Sequence, residues 1–160
     1  MRFLGSSPLA TLVRGALAGL AGTGAMTFHQ ELRSRAKGGG GSGGEPSWDE
    51  APAPAVVAKR LLEGLFQRDV PPSRIPLLAN AMHWVYGTAW GIAYALAAES
   101  GARMPGPAFG AAVWGMQYVQ LVPMGLYELP WHYGLATLAD DLGYHVTYGT
   151  ATALAHRAVS

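Results

Sequence analysis

Asp141 and His145 stand four residues apart in the stretch ADDLGYHV, the spacing at which a helix carries a carboxylate and an imidazole on one face. Such a pair can hold an imidazolium–carboxylate contact, fix a neutral histidine tautomer or pass a proton. Gly134, Thr137, Tyr148 and Thr152 continue that face. Asn80, His83, Gly87, Gly91 and Tyr94 also step by three or four and define a second polar face. Gln117 and Gln120 add neutral donors and acceptors between the two stretches. Asp140 points about 100° away from Asp141 on a helix, so it needs its own partner on the first or third apolar segment, or a trapped water. Three chemistries suit this polar set of Asn80, His83, Gln117, Asp140, Asp141 and His145. It can be a hydrogen-bonded network that fixes helix register. It can be a proton-responsive or proton-conducting site in which His83, Asp141 and His145 titrate. Or His83, Asp141 and His145 can form a metal site of two imidazoles and one carboxylate.

Other chemistries lack their residues. The chain of 160 residues has no cysteine, which excludes disulfides, thiolate metal sites and cysteine nucleophiles. It contains no Gly-x-Ser-x-Gly elbow and no HExxH pair, so nothing points to a hydrolase. The glycine run KGGGGSGG is not followed by the Lys-Ser/Thr pair of a phosphate loop, and no cofactor motif replaces it. A net charge of +1 without a basic, aromatic-laced stripe gives no reason to expect nucleic acid.

The elements that must carry the polar residues are apolar helices. Only six of the 21 charged residues lie beyond position 74: Glu99, Arg103, Glu128, Asp140, Asp141 and Arg157. A soluble domain spreads its charges over its whole surface. The segments Ile75–Ala98 and Met104–Tyr127 each run 24 residues without a charge, and about 20 apolar residues cross a bilayer. Residues 9–29 and 131–155 are of similar length, the first with Arg14 near enough to its end to snorkel. A signal peptide is the alternative for the first segment, but Arg14 interrupts its apolar region and no clear cleavage site follows. The expectation is an all-α polytopic membrane protein, with spans at about 9–29, 76–98, 105–127 and 131–155. Short connections between the later spans imply antiparallel neighbours and an up-down four-helix bundle. The polar loop 30–74 holds the linker 37–44 and an amphipathic helix at about 54–67. There Val57, Leu61 and Leu65 lie beside Leu62 and Phe66, opposite Lys59, Arg60 and Glu63. Counted from the side of that loop, His83, Gln117 and Asp141 fall roughly 12–15 Å deep, with Thr23 level and His145 one turn further. Pro123 is expected to kink the third span.

Small residues recur at helical spacing: Gly15, Gly19 and Gly22, then Gly87 and Gly91, then Gly106 and Gly110. Such faces let helix backbones approach closely in lipid, within the chain or between copies of a homo-oligomer. Tyr127, Trp131 and Tyr133 match an aromatic belt, and His132 and His156 fall at interfacial positions. The long loop carries seven Lys and Arg against four on the other side, which by the positive-inside rule places it in the cytoplasm.

The pattern His83, Tyr94 and Glu99 in HWVYGTAWGIAYALAAE, then PMGLYELPW at Pro123–Trp131, then Asp141-x-x-x-His145, resembles the YagU-like family of bacterial inner-membrane proteins. The resemblance covers roughly Met82–Tyr148. It implies a multi-pass protein of the bacterial inner membrane, with cytoplasmic termini and a role in acid tolerance. That orientation opposes the basic-residue count, and both stay open. The expected function is a small integral inner-membrane protein with a buried polar core, accessory or stress-related. The alternatives are a proton-coupled transporter or channel subunit acting as an oligomer, and a membrane metalloprotein.

Overall fold

Proline and glycine set most of the helix ends. The computed structural model describes residues 7–39, 46–102 and 104–160; residues 40–44 of the glycine-rich linker and Arg103 lie outside the described residues. Helix α1 (Pro8–Ala36) starts where the Ser7 side chain accepts the Ala10 N–H at 3.2 Å and Pro8 supplies a preset φ. Helix α2 (Ala53–Phe66) follows Pro52 and stops at Gln67, which adopts a left-handed φ of 50°. Helices α3 (Ile75–Glu99) and α4 (Gly106–Leu121) each carry a proline in the first turn. Helix α5 (Leu135–Val159) begins after Gly134. Three short 3-10 turns complete an architecture that holds no strand among the described residues. The all-α expectation therefore stands.

α1 is the central element and packs on α3 and α5, while α4 packs on α5 and α2 on α3. Glycine makes these seams. A Cβ added to Gly15 would sit 2.6 Å from the Ile92 Cα, and one on Gly19 would sit 2.7 Å from the Gly87 carbonyl oxygen. Gly91 rests directly on the Gly19 backbone. Gly22 faces Tyr148 and Thr152 of α5. On the other side, Gly106 lies against Thr150 and Gly110 against the His145 carbonyl. Their counterpart is Gly149, which meets both and lies outside the small-residue pattern read from the sequence. Close backbone approach of this kind maximises dispersion contacts between helices.

The interior is small and partly polar. Thr11, Thr23, Gln117, His145 and Thr152 are buried alongside Tyr94, Phe109 and Tyr148. Two of the threonines answer their hydroxyls locally, Thr23 donating to the Gly19 carbonyl and Thr152 to the Tyr148 carbonyl, both at 2.8 Å, while Thr11 donates across to Glu99 at 3.3 Å. Large apolar side chains point outward instead: Leu17 on α1, Val85 on α3, Val119 on α4, and Leu135 and Leu154 on α5.

Several expected boundaries move. α1 continues seven residues past 29, so residues 30–36 are helix rather than loop. α4 ends at Leu121 and not at 127; Pro123 follows the helix end rather than kinking its interior. α5 starts at Leu135 and not at 131, after the 3-10 turn Pro130–His132. By length and composition one helix among the described residues, α1, suffices to cross a membrane. The 16 residues of α4 extend only about 24 Å.

A polar cavity between helices 3 and 4

α3 and α4 meet mainly through long side chains rather than through their backbones. The Tyr86 hydroxyl donates to Gln120 Oε1 at 2.6 Å, and Phe109 stacks on Trp90 and Tyr94 with centroids 6.3 and 4.8 Å apart. Where these aromatics hold the helices apart, a cavity of about 500 Å³ opens. His83 and Tyr86 line it from α3, Gln117 and Gln120 from α4, and Asp141 and His145 from α5. Met26, Met82 and Met124 supply much of its apolar wall, and Pro54 and Val57 reach it from α2.

α2 is tied down over this opening. Arg60 Nη1 donates to the Met124 carbonyl at 2.9 Å, and the Val70 N–H donates to Glu63 Oε1 at 3.3 Å. Trp48 braces the same segment: its indole N–H donates to the Val70 carbonyl at 3.1 Å, and the Lys59 ammonium lies 4.7 Å over its ring. The amphipathic helix of the sequence reading is therefore present. Its expected apolar face divides, since Val57 turns inward while Leu61, Leu65 and Phe66 remain exposed.

Asp141 is the hub of the polar groups. Its Oδ2 accepts from Gln117 Nε2 at 2.6 Å and from Trp114 Nε1 at 2.9 Å. His145 Nδ1 sits 2.8 Å from the Asp141 carbonyl oxygen and 3.5 Å from its Oδ1. The i,i+4 pair is thus real geometry, with the backbone carbonyl as the nearer acceptor. That places the proton of a neutral imidazole on Nδ1 and leaves Nε2 as the free acceptor. His83 Nε2 lies 3.3 Å from the Thr27 hydroxyl of α1. Trp114 was not singled out from the sequence, although it precedes Gln117 by three and so shares its face.

Two residues of the expected core lie elsewhere. Asn80 is exposed and accepts the Trp84 indole N–H at 3.1 Å, because its place on α3 turns it away from α1 and α4. Asp140 is ion-paired with both Arg33 and Lys37 at the bundle end. It meets them because α1 runs on to Ala36, past the expected limit of the first span. His83, Asp141 and His145 do not form a metal-binding group; no cluster of three such ligands occurs among the described residues. The polar set also sits nearer the bundle end than expected. Gln117 is four residues from the end of α4 and Asp141 six residues into α5, roughly 6 and 9 Å.

Tyr127 and Tyr133 turn inward and pack on Tyr118, with centroids 5.7 and 6.3 Å from its ring, so only Trp131 of the expected belt faces outward. This tyrosine group lines a second cavity of about 450 Å³, which Asp141 and Tyr127 share with the first. Above His145 the interior is filled by Tyr148, Phe109 and Tyr94, and the two tyrosine hydroxyls close on the backbone. Tyr148 donates to the Gly87 carbonyl at 2.6 Å and Tyr94 to the Met104 carbonyl at 3.1 Å. His29 stands apart from the set, 2.8 Å from the Thr147 hydroxyl, and Glu31 pairs with Arg35.

No family model, no curated protein and no solved structure matches this chain.

Proposed function

We propose that this chain is an integral membrane protein whose four long helices each cross the bilayer. In this reading it presents a proton-binding polar cavity towards the side that bears α2. The support for membrane insertion is the distribution of side chains: small and polar residues crowd an interior with few large aliphatics, while Leu17, Val85, Val119, Leu135 and Leu154 face outward. Water gives that arrangement no hydrophobic reward, whereas lipid gives it packing inside and apolar solvent outside. α4 is shorter than a full crossing, and the folded segment 122–134 below it completes the depth.

The single observation that carries the function is Asp141, a carboxylate held by Trp114 and Gln117 beside His145 on a cavity wall. A carboxylate within a bundle is costly unless it is hydrogen-bonded and useful. Titratable groups that share its two cavities are His83, His145, Tyr86 and Tyr127 on the first, and Lys37, Tyr118, Tyr127, Tyr133, Asp140 and Tyr144 on the second, where Lys37 is held by Asp140. Protonation of Asp141 removes the acceptor charge that holds Trp114 and Gln117, and so loosens α4 from α5. The resemblance to the YagU-like family turns the same chemistry towards acid stress at the bacterial inner membrane. The test is the emission of Trp114 in bilayers, isolated by comparison with Trp114→Phe. A single pH titration that disappears in Asp141→Asn is expected; an emission independent of pH in the wild type contradicts the reading.

One observation favours the alternative of a transporter or channel subunit: Asp141 lies on both cavities. Proteoliposomes under an imposed pH gradient separate the two. The aromatic plug above His145 predicts no flux beyond that of empty liposomes. Flux that Asp141→Asn abolishes would replace sensing with conduction, by a homo-oligomer that builds the rest of the path.

A further inference from the structure

We infer that the cavity between α3 and α4 is a binding site for a lipophilic organic cation, with Asp141 as the counter-ion. The inference rests on the reading of Asp141 as an ionisable group in an open cavity and adds the ligand that it would hold.

Size is the first argument. A cavity of about 500 Å³ lies in the range that accommodates ligands of drug-like size, roughly 300–1,000 Å³. The lining is the second. Three flexible methionines, Met26, Met82 and Met124, make a wall that adapts to an apolar body without a fixed shape. Tyr86 and Tyr127 add aromatic rings to the same wall, and such rings attract a cation placed over their faces.

Charge is the third and decisive argument. Asp141 is the one formally charged side chain in the lining. Its hydrogen-bond donors are the neutral groups Trp114 and Gln117, and the His145 imidazole lies closer to the Asp141 backbone carbonyl than to the carboxylate. The adjacent carboxylate Asp140 is already matched by Arg33 and Lys37 and turns away from this cavity. Arg60 stands at the rim with its guanidinium on the Met124 carbonyl. An anion entering the cavity would therefore meet a carboxylate and no lysine or arginine on its wall. A monocation would gain a carboxylate whose hydrogen-bond donors are neutral, since Lys37, which shares the second cavity with Asp141, is already held by Asp140. Its apolar substituents would replace water against methionine and leucine.

The probe is tetraphenylphosphonium, with tetraphenylborate as a control of the same shape and opposite charge, by equilibrium dialysis of the full chain in detergent against protein-free micelles. The inference predicts saturable binding of the cation, weakened at least tenfold by Asp141→Asn and restored by Asp141→Glu. Glu31→Gln makes the same change of net charge away from both cavities and leaves binding as in the wild type. Saturable borate binding of equal strength, equal cation binding by wild type and Asp141→Asn, or no saturable cation binding at all would each overturn it. The Trp114 titration distinguishes the layers. An intact titration without cation binding removes this inference alone, whereas Asp141-dependent cation binding without a titration sustains it and removes the proton reading.

Discussion

The two sides of α3 are built on opposite rules. Towards α1 it presents Gly87 and Gly91, and the backbones touch; towards α4 it presents Tyr86, Trp90 and Tyr94, and the backbones stay apart. One helix thus makes a close glycine seam on one side and one wall of a cavity of about 500 Å³ on the other. The difference shows how a small bundle can be firm and hollow together. Glycine seams on three sides fix α1, α3, α5 and α4 as a chain of neighbours, and the remaining gap is left to long side chains. Polar groups gather where the packing is open, because a cavity supplies the partners or water that a close-packed seam denies them.

This contrast can be broken first at the seam. Gly91→Leu would drive a side chain into the Gly19 backbone, which cannot give way as a flexible side chain can. The expected loss is about 3 kcal/mol or more, read as unfolding at lower denaturant in detergent micelles. Gly115→Leu is the matched control, since nothing lies within 4 Å of its Cβ position; a change within about 0.5 kcal/mol is expected. Equal effects at the two positions would remove the glycine seam from the account.

The spacer comes next. Phe109→Ala removes a buried ring that touches Trp90, Tyr94 and Tyr148. Truncations of this kind cost about 3–5 kcal/mol, less where the site can collapse. Here collapse is the interesting outcome, because it brings α4 towards α3. Spin labels on the two helices should report a shorter distance in the variant; an unchanged distance means the ring fills space without holding the helices apart.

A smaller effect is expected from Tyr148→Phe, which keeps the ring and deletes the hydrogen bond to the Gly87 carbonyl. The expected cost is about 1 kcal/mol, measured by the same denaturation. It reports whether α5 is fastened to α3 through that bond, since the two helices otherwise touch little.

Much of the seam was legible in sequence. Gly15, Gly19, Gly87 and Gly91 repeat at a spacing that has few other uses, and all four lie at the α1–α3 contact. Gly149 was not legible, because it stands alone and its role depends on Gly106 and Gly110 arriving from another helix. At the cavity, Asp141, His145 and Gln117 could be grouped by helical period and depth. Asn80 and Asp140 could not be excluded that way. Period fixes which residues share a face but not which neighbour that face meets, and Asp140 found its partners only because α1 outruns its apolar segment. Helix ends were the weakest part of the sequence reading. Charge-free length says where lipid can be tolerated, and it does not register the turn that Pro123 and Gly125 make within such a stretch.

The central claim is a bundle wrapped in lipid with water reaching its polar cavity, and cysteine accessibility tests both halves at once. The chain has no native cysteine, so single substitutions at Met82 and Gln120 on the cavity and at Val85 and Leu154 on the outer surface can be labelled in bilayers by a charged, water-soluble thiol reagent. Val85 and Leu154 are 65% and 60% exposed in the isolated chain. The account predicts that Met82→Cys and Gln120→Cys react while Val85→Cys and Leu154→Cys stay protected. Fast reaction at Val85 and Leu154 would contradict membrane insertion, and protection at Met82 and Gln120 would contradict a watered cavity.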